Sequence, residues 1–170
     1  MKTLEKMSQS EFENFIQMSI SNFREELQKT GDFTQKQAET TTHEQINDLL
    51  IDGMNTHGHY FFNIINVHDH YKVGTLWLSI NPDNEGHPVA FIFDIMIETG
   101  YRGKGFGRLA MQAAEQVAKS KGAGKICLHV FDHNKIAFDL YKKLGYIVEK
   151  NYTNKKGTRI ISYRMGKNLN

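Results

Sequence analysis

Ile97-Glu98-Thr99-Gly100-Tyr101-Arg102-Gly103-Lys104-Gly105-Phe106-Gly107-Arg108 is the most informative stretch of this 170-residue chain. An apolar run, Val89 to Ile97, leads into it, and an amphipathic helix from Phe106 to Lys121 leads out. In that helix apolar residues recur at 106, 109, 110, 113, 114, 117 and 118, so one stripe faces a sheet and packing fixes the first turn. Glycines at 103, 105 and 107 remove Cβ atoms that would keep a ligand from the backbone, and the opening N–H groups of a helix have no partner within it. Arg102, Lys104 and Arg108 add charge at the same spot, which suits a polyphosphate.

The spacing narrows the ligand. A Walker loop carries Ser or Thr directly after its lysine to hold magnesium, whereas Gly105 follows Lys104. A dinucleotide fingerprint sets its second and third glycines three apart, whereas Gly105 and Gly107 are two apart. A coenzyme A pyrophosphate asks only for a short pocket of amides and no metal, and it fits the turn.

Reading outward, Val89 to Ile97 is a central strand with both faces covered, and Lys125 to Phe131 is the strand after the glycine-led helix. A helix from Lys135 to Lys143 and strands at Tyr146–Lys150 and Arg159–Met165 complete the C-terminal part. Upstream, Tyr60–Val67 and Val73–Ile80 read as a hairpin turned at His68–Lys72, with Asn81–Pro88 a polar loop. Residues 3 to 7 read as a short first strand. Phe12, Phe15, Ile16, Ser19, Ile20, Phe23 and Leu27 make the face of a helix over Ser10–Lys29 that Gly31 ends, and a second helix covers Gln35–Ile51. The elements predict one α/β or α+β domain.

Bulk properties agree with a soluble globular unit: 39% of residues are apolar and 24% charged. The lone cysteine, Cys127, forbids an internal disulfide, and no run approaches the roughly 18 apolar residues of a membrane span, so a cytoplasmic protein without a membrane role is expected. Residues 1–60 hold ten acidic and five basic side chains, and residues 61–170 nine acidic and sixteen basic. A basic C-terminal part suits an anionic ligand and an acidic N-terminal part a cationic one. The basic residues lack an aromatic platform pattern, so nucleic acid is not an expected partner. Cys127 alternates within a strand and reads as buried and inert, and the pairs His57/His59 and His68/His70 lack a companion ligand for zinc, so no metal is expected.

The run Arg102-Gly103-Lys104-Gly105-Phe106-Gly107 resembles the pyrophosphate motif of the GNAT superfamily of acyl-coenzyme-A-dependent N-acyltransferases: Gln or Arg, two residues, Gly, one residue, Gly or Ala. A second segment is similar too, with Asn134 in the turn after the strand Leu128–Phe131, then a helix running through Tyr141 to Leu144-Gly145-Tyr146. The resemblance covers about residues 60–165 and implies a mixed, mostly antiparallel sheet of six or seven strands flanked by about four helices. It makes residues 1–170 one domain, with 60–165 as the coenzyme-binding core and 8–56 as a variable, substrate-side helical segment. It also implies acetyl-CoA as acyl donor and direct attack by a primary amine of a small molecule or peptide through a tetrahedral intermediate. Such folds commonly pair through a sheet edge or last strand, so a homodimer is expected. A regulatory domain that binds acyl-CoA without transferring it is the alternative.

Several residues then acquire expected roles. Ile95, Met96 and Ile97 lie where the pantetheine amides add strand-like hydrogen bonds, and an amide near Ile97 meets the thioester oxygen. Arg102, Gly103, Lys104, Gly105, Phe106, Gly107 and Arg108 hold the pyrophosphate, while Asn134 and Ala137 meet the pantetheine arm, Asn134 also being a natural helix cap. Tyr141 is the expected general acid near the sulfur. An alkyl amine is only about one part in a thousand neutral at pH 7, a penalty of roughly 4 kcal/mol, so a base is required. Asp94, a lone carboxylate in an apolar strand, is the first candidate; Glu98, at the strand end and acting through water, is the second.

Overall fold

The computed structural model describes residues 3–169. In chain order the elements are β1 (Leu4–Lys6), α1 (Gln9–Lys29), α2 (Gln35–Leu49), β2 (His59–Ile65), β3 (Lys72–Pro82), β4 (Pro88–Ile97), α3 (Phe106–Ser120), β5 (Lys125–Phe131), α4 (Lys135–Lys143), β6 (Ile147–Thr153) and β7 (Ile160–Asn168). The strands form one seven-stranded sheet in the order β1-β2-β3-β4-β5-β7-β6. Its β4–β5 pair is parallel and its other neighbours antiparallel. This is the mixed, mostly antiparallel sheet with about four helices that the motifs imply.

Local chemistry explains where the first helices start and stop. Ser8 and Glu11 form a capping box on α1, and Thr34 and Gln37 repeat it on α2, so orphan N–H groups at each start are satisfied. Gly31, at φ 79°, closes α1 by donating to the Gln28 carbonyl. Helix α2 stops at Leu49 rather than Ile51, because Leu50 (φ −118°, ψ 61°) has left the helical region.

Two apolar layers sandwich the sheet. On one side α1 and α2 bury Phe12, Phe15 and Ile46 against Phe61 and Trp77. On the other, α3 and α4 bury Met111, Ala114 and Tyr141 against Ile64, Leu76, Ile92 and Leu128. The inward face of α3 is rotated from the expected stripe: Leu109 is 49% exposed, while Met111 and Glu115 point inward. Glu115 is tolerated there because Lys167 of β7 donates to both carboxylate oxygens, at 2.8 and 2.9 Å.

The polar loop expected over Asn81–Pro88 is tightened by strand at both ends. Asn81 pairs with Val89 and Pro82 with Pro88, and the loop proper is residues 83–87, where the Asp83 carboxylate accepts the amides of Glu85 and His87. Both prolines sit at strand ends, where a missing N–H breaks no interior ladder. Strand β6 reaches Thr153 and β7 reaches Asn168, further than polarity suggests, because β6 is an exposed edge that needs no apolar face.

Candidate active site

The parting of β4 from β5 creates the site. These parallel strands pair from Val89–Lys125 to Ile92–Leu128, after which, among the described residues, β5 continues with β7 and β4 with β3 alone. The last five residues of β4 therefore present one edge to a cleft. At the same place β4 carries a bulge: Trp77 faces Asp94 and Leu78 faces Ile92, so Phe93 is the extra residue. Phe93 and Asp94 consequently share the α1 face, whereas Ile92, Ile95 and Ile97 face the α3 layer.

Asp94 accepts a hydrogen bond from Ser19 Oγ of α1 at 2.6 Å, and Met96, two residues on, receives the Asn22 amide at 3.6 Å. Burial pushes the Asp94 carboxyl above the usual carboxylate range, while Ser19 and the Ile95 amide pull the other way. Glu98 is exposed at the strand end, its amide bonded to the Val73 carbonyl. Across the cleft, Tyr141 is 7% exposed on the inward stripe that α4 shares with Ala137, Phe138 and Leu144. Its phenol is raised well above its ordinary value, first by burial and then by the charge of Asp94, so the two candidate groups sense each other.

The glycine turn closes one end of the cleft. After a 3-10 turn at Thr99–Tyr101, Gly103 (φ 74°) and Gly105 (φ 87°) adopt left-handed conformations that favour glycine, and a Cβ at either would meet nothing within 4 Å. Gly105 caps α3, and the first amide bonded back into the turn is that of Leu109, to the Gly105 carbonyl. The amides of Phe106, Gly107 and Arg108 open the helix without intrahelical acceptors. Gly107 has a second job, since a Cβ there would press on Leu140 of α4 at 3.2 Å. Arg102 Nε donates to the Ile97 carbonyl at 2.9 Å and Lys104 Nζ to that of Gly100 at 2.9 Å, bracing the turn; Arg108 is exposed. Asn134 caps α4 by accepting the Ala137 amide at 3.3 Å.

Helix α1 crosses the open side of the cleft. Beyond Ser19 and Asn22, Phe23 packs on Phe131 of β5 at 6.2 Å, Glu26 bonds to His133, and the Thr30 carbonyl accepts from Arg159 ahead of β7. None of these contacts is legible from spacing, apart from Ser19 being a polar residue in an apolar stripe. Gly74 was also missed: a Cβ there would lie 2.1 Å from the Met96 carbonyl oxygen, so β3 and β4 meet unusually closely beside the site. His59 accepts the Trp77 indole N–H at 2.9 Å and stacks on Phe93, and burial holds it below its ordinary value. Cys127 is fully buried and its thiol raised, which keeps it from the thiolate form.

Residues 20–146 match the acetyltransferase (GNAT) family. The chain is 38% identical over 146 residues to the uncharacterized N-acetyltransferase YdgE of Bacillus subtilis (strain 168), covering 85% of this chain and 90% of that one. The crystal structure of YycN from Bacillus subtilis superposes with a TM-score of 0.81 at 32% identity, covering 89% of this chain and 96% of that chain. A spermidine N-acetyltransferase from Vibrio cholerae, solved with CoA and spermine, shares the fold at a TM-score of 0.67 and 20% identity over 98% of this chain and 95% of that chain. With the glycine turn, the parted strands and these likenesses together, the chain belongs to the acetyltransferase (GNAT) family.

Proposed function

We propose that this chain transfers an acetyl group from acetyl-CoA to a primary amine of a small molecule or peptide. The observation that carries the reading is the parting of β4 from β5 beyond Ile92, beside which Asp94 and Tyr141 feel each other's charge and after which the glycine turn opens α3. The residues present fit the donor. Open space over Gly103 and Gly105, the free amides of Phe106 to Arg108, and the cations Arg102, Lys104 and Arg108 suit a pyrophosphate. The unpaired edge at Ile95–Ile97 suits an extended amide chain, whose far side Asn134 and Ala137 at the start of α4 would contact.

The amine attacks the thioester carbonyl. Asp94 takes its proton, directly or through water, and its raised affinity for protons makes it a better base than an ordinary surface carboxylate. Glu98, exposed at the mouth, passes that proton to solvent. An amide of the Ile95–Ile97 stretch stabilises the carbonyl oxygen as charge gathers there. The C–S bond then breaks. Tyr141 stays protonated at neutral pH, and because its phenol holds the proton more tightly than a thiol of pKa about 8.5, it stabilises the thiolate by donating a hydrogen bond while water completes protonation.

Calorimetry with acetyl-CoA, followed by free-thiol release against diamines, aminoglycosides, amino acids and peptide N-termini, tests the reading. Binding with turnover of at least one amine class is expected. Absence of binding at low salt overturns the proposal, and binding without turnover selects the regulatory alternative.

A further inference from the structure

Ser19 is the polar side chain among the buried residues of α1, is 6% exposed, and donates a hydrogen bond from its hydroxyl to Asp94 Oδ2 at 2.6 Å. Its position is over-determined. One turn on, Asn22 reaches Met96 and Phe23 packs on Phe131, and a further turn on Glu26 bonds to His133, so α1 is fastened to both strands that bound the cleft. The bulge at Phe93 turns Asp94 to this face and into reach of the serine. A short hydroxyl–carboxylate bond of this kind is charge-assisted, hence stronger to the ionised carboxylate than to the neutral acid.

We infer that Ser19 is a positioning residue for acetyl transfer: its hydroxyl fixes one oxygen of Asp94, leaves the remaining lone pairs to the incoming amine, and holds the carboxylate ready to accept a proton. The inference rests on Asp94 being the base in the proposed function. As the C–N bond forms, the amine proton passes to Asp94 and thence to solvent; Ser19 keeps its own proton throughout. Removing the hydroxyl leaves burial unopposed except by the Ile95 amide, so Asp94 holds its proton to higher pH. The titratable groups on the surrounding elements are Tyr141 of α4, His59 of β2 behind Trp77, His129 of β5, Glu98 at the end of β4 and Glu26 of α1. Among the described residues none of them hydrogen-bonds Asp94.

The test compares wild type, Ser19→Ala, Ser19→Thr and Asp94→Asn. With isotope-labelled aspartate carboxylates and no substrate, NMR identifies the Asp94 signal by its loss in Asp94→Asn. That signal is expected to titrate about one pH unit higher in Ser19→Ala and to return toward wild type in Ser19→Thr. With a turned-over amine, the acid limb of kcat/KM moves the same way and kcat/KM near pH 7 falls, while acetyl-CoA affinity stays within about threefold. An Asp94 signal that does not move in folded Ser19→Ala overturns the inference, as does a fixed limb with a raised KM, which marks a merely structural serine. A wild-type chain that binds acetyl-CoA yet acetylates no amine defeats the transferase reading instead, and the titration tells the two failures apart.

Discussion

Replacing Gly74 by alanine tests whether the close seam beside the cleft governs the site. The added methyl would sit 2.1 Å from the Met96 carbonyl oxygen, about 1.3 Å inside the 3.4 Å at which ordinary contact begins, and 3.2 Å from Ile97 Cα. Both obstacles are backbone, so no rotamer relieves them and β4 must swing outward where it carries Asp94, Met96 and Ile97. Overpacking costs about 1–3 kcal/mol and falls at the upper end when the backbone must yield. For a chain of this length each kcal/mol lowers Tm by roughly 2–4 °C, so a loss of about 6–12 °C is expected by circular dichroism. Function should fall as well. The Ile97 carbonyl anchors Arg102, and the Val73 carbonyl anchors the Glu98 amide, so calorimetry should show acetyl-CoA affinity reduced about tenfold or more in the folded variant. A Tm within about 1 °C of wild type, or a lower Tm with unchanged affinity, would refute the coupling.

Asp94→Asn should lower kcat/KM for the amine at least about tenfold near pH 7. Because Asp94 works only after losing its proton, wild-type kcat/KM should rise with pH through a limb set above the ordinary carboxylate range, and steady-state profiles should lack that limb in the variant. Tyr141→Phe should reduce kcat about tenfold or more with acetyl-CoA affinity retained, measured by thiol release and calorimetry; equal turnover would remove Tyr141 from the mechanism. Gly105→Ala, at φ 87° with open space around the new methyl, should cost about 1–2 kcal/mol of backbone strain and several degrees of Tm, with a larger proportional loss of acetyl-CoA affinity.

The C-terminal part was legible because its chemistry is local. Glycines at fixed offsets, an amphipathic stripe and the Asn134 cap each act within a few residues, so the turn, α3 and α4 could be placed and the inward set Ala137, Phe138, Tyr141 and Leu144 recovered. What escaped depends on distant pairing. The Phe93 bulge exists only against Trp77, the role of Gly74 only against Met96, and Ser19 gains its partner from a residue 75 positions away. The rotation of α3 has a similar origin: Glu115 counts as polar in any one-dimensional pattern, and its ion pair with Lys167 on β7, distant in sequence, makes its burial tolerable. Strand β6 was underestimated because an exposed edge carries no apolar alternation to detect.

Among the described residues, the last stretch of β4 is a half-finished sheet, with neighbours on one side and none on the other. Its amides should exchange with deuterated solvent faster than those from Val89 to Ile92, and an extended amide chain laid along the gap would act as a temporary eighth strand. Ligand and protein would then share one hydrogen-bonded ladder, so the acyl donor becomes part of what holds the fold together while it is bound.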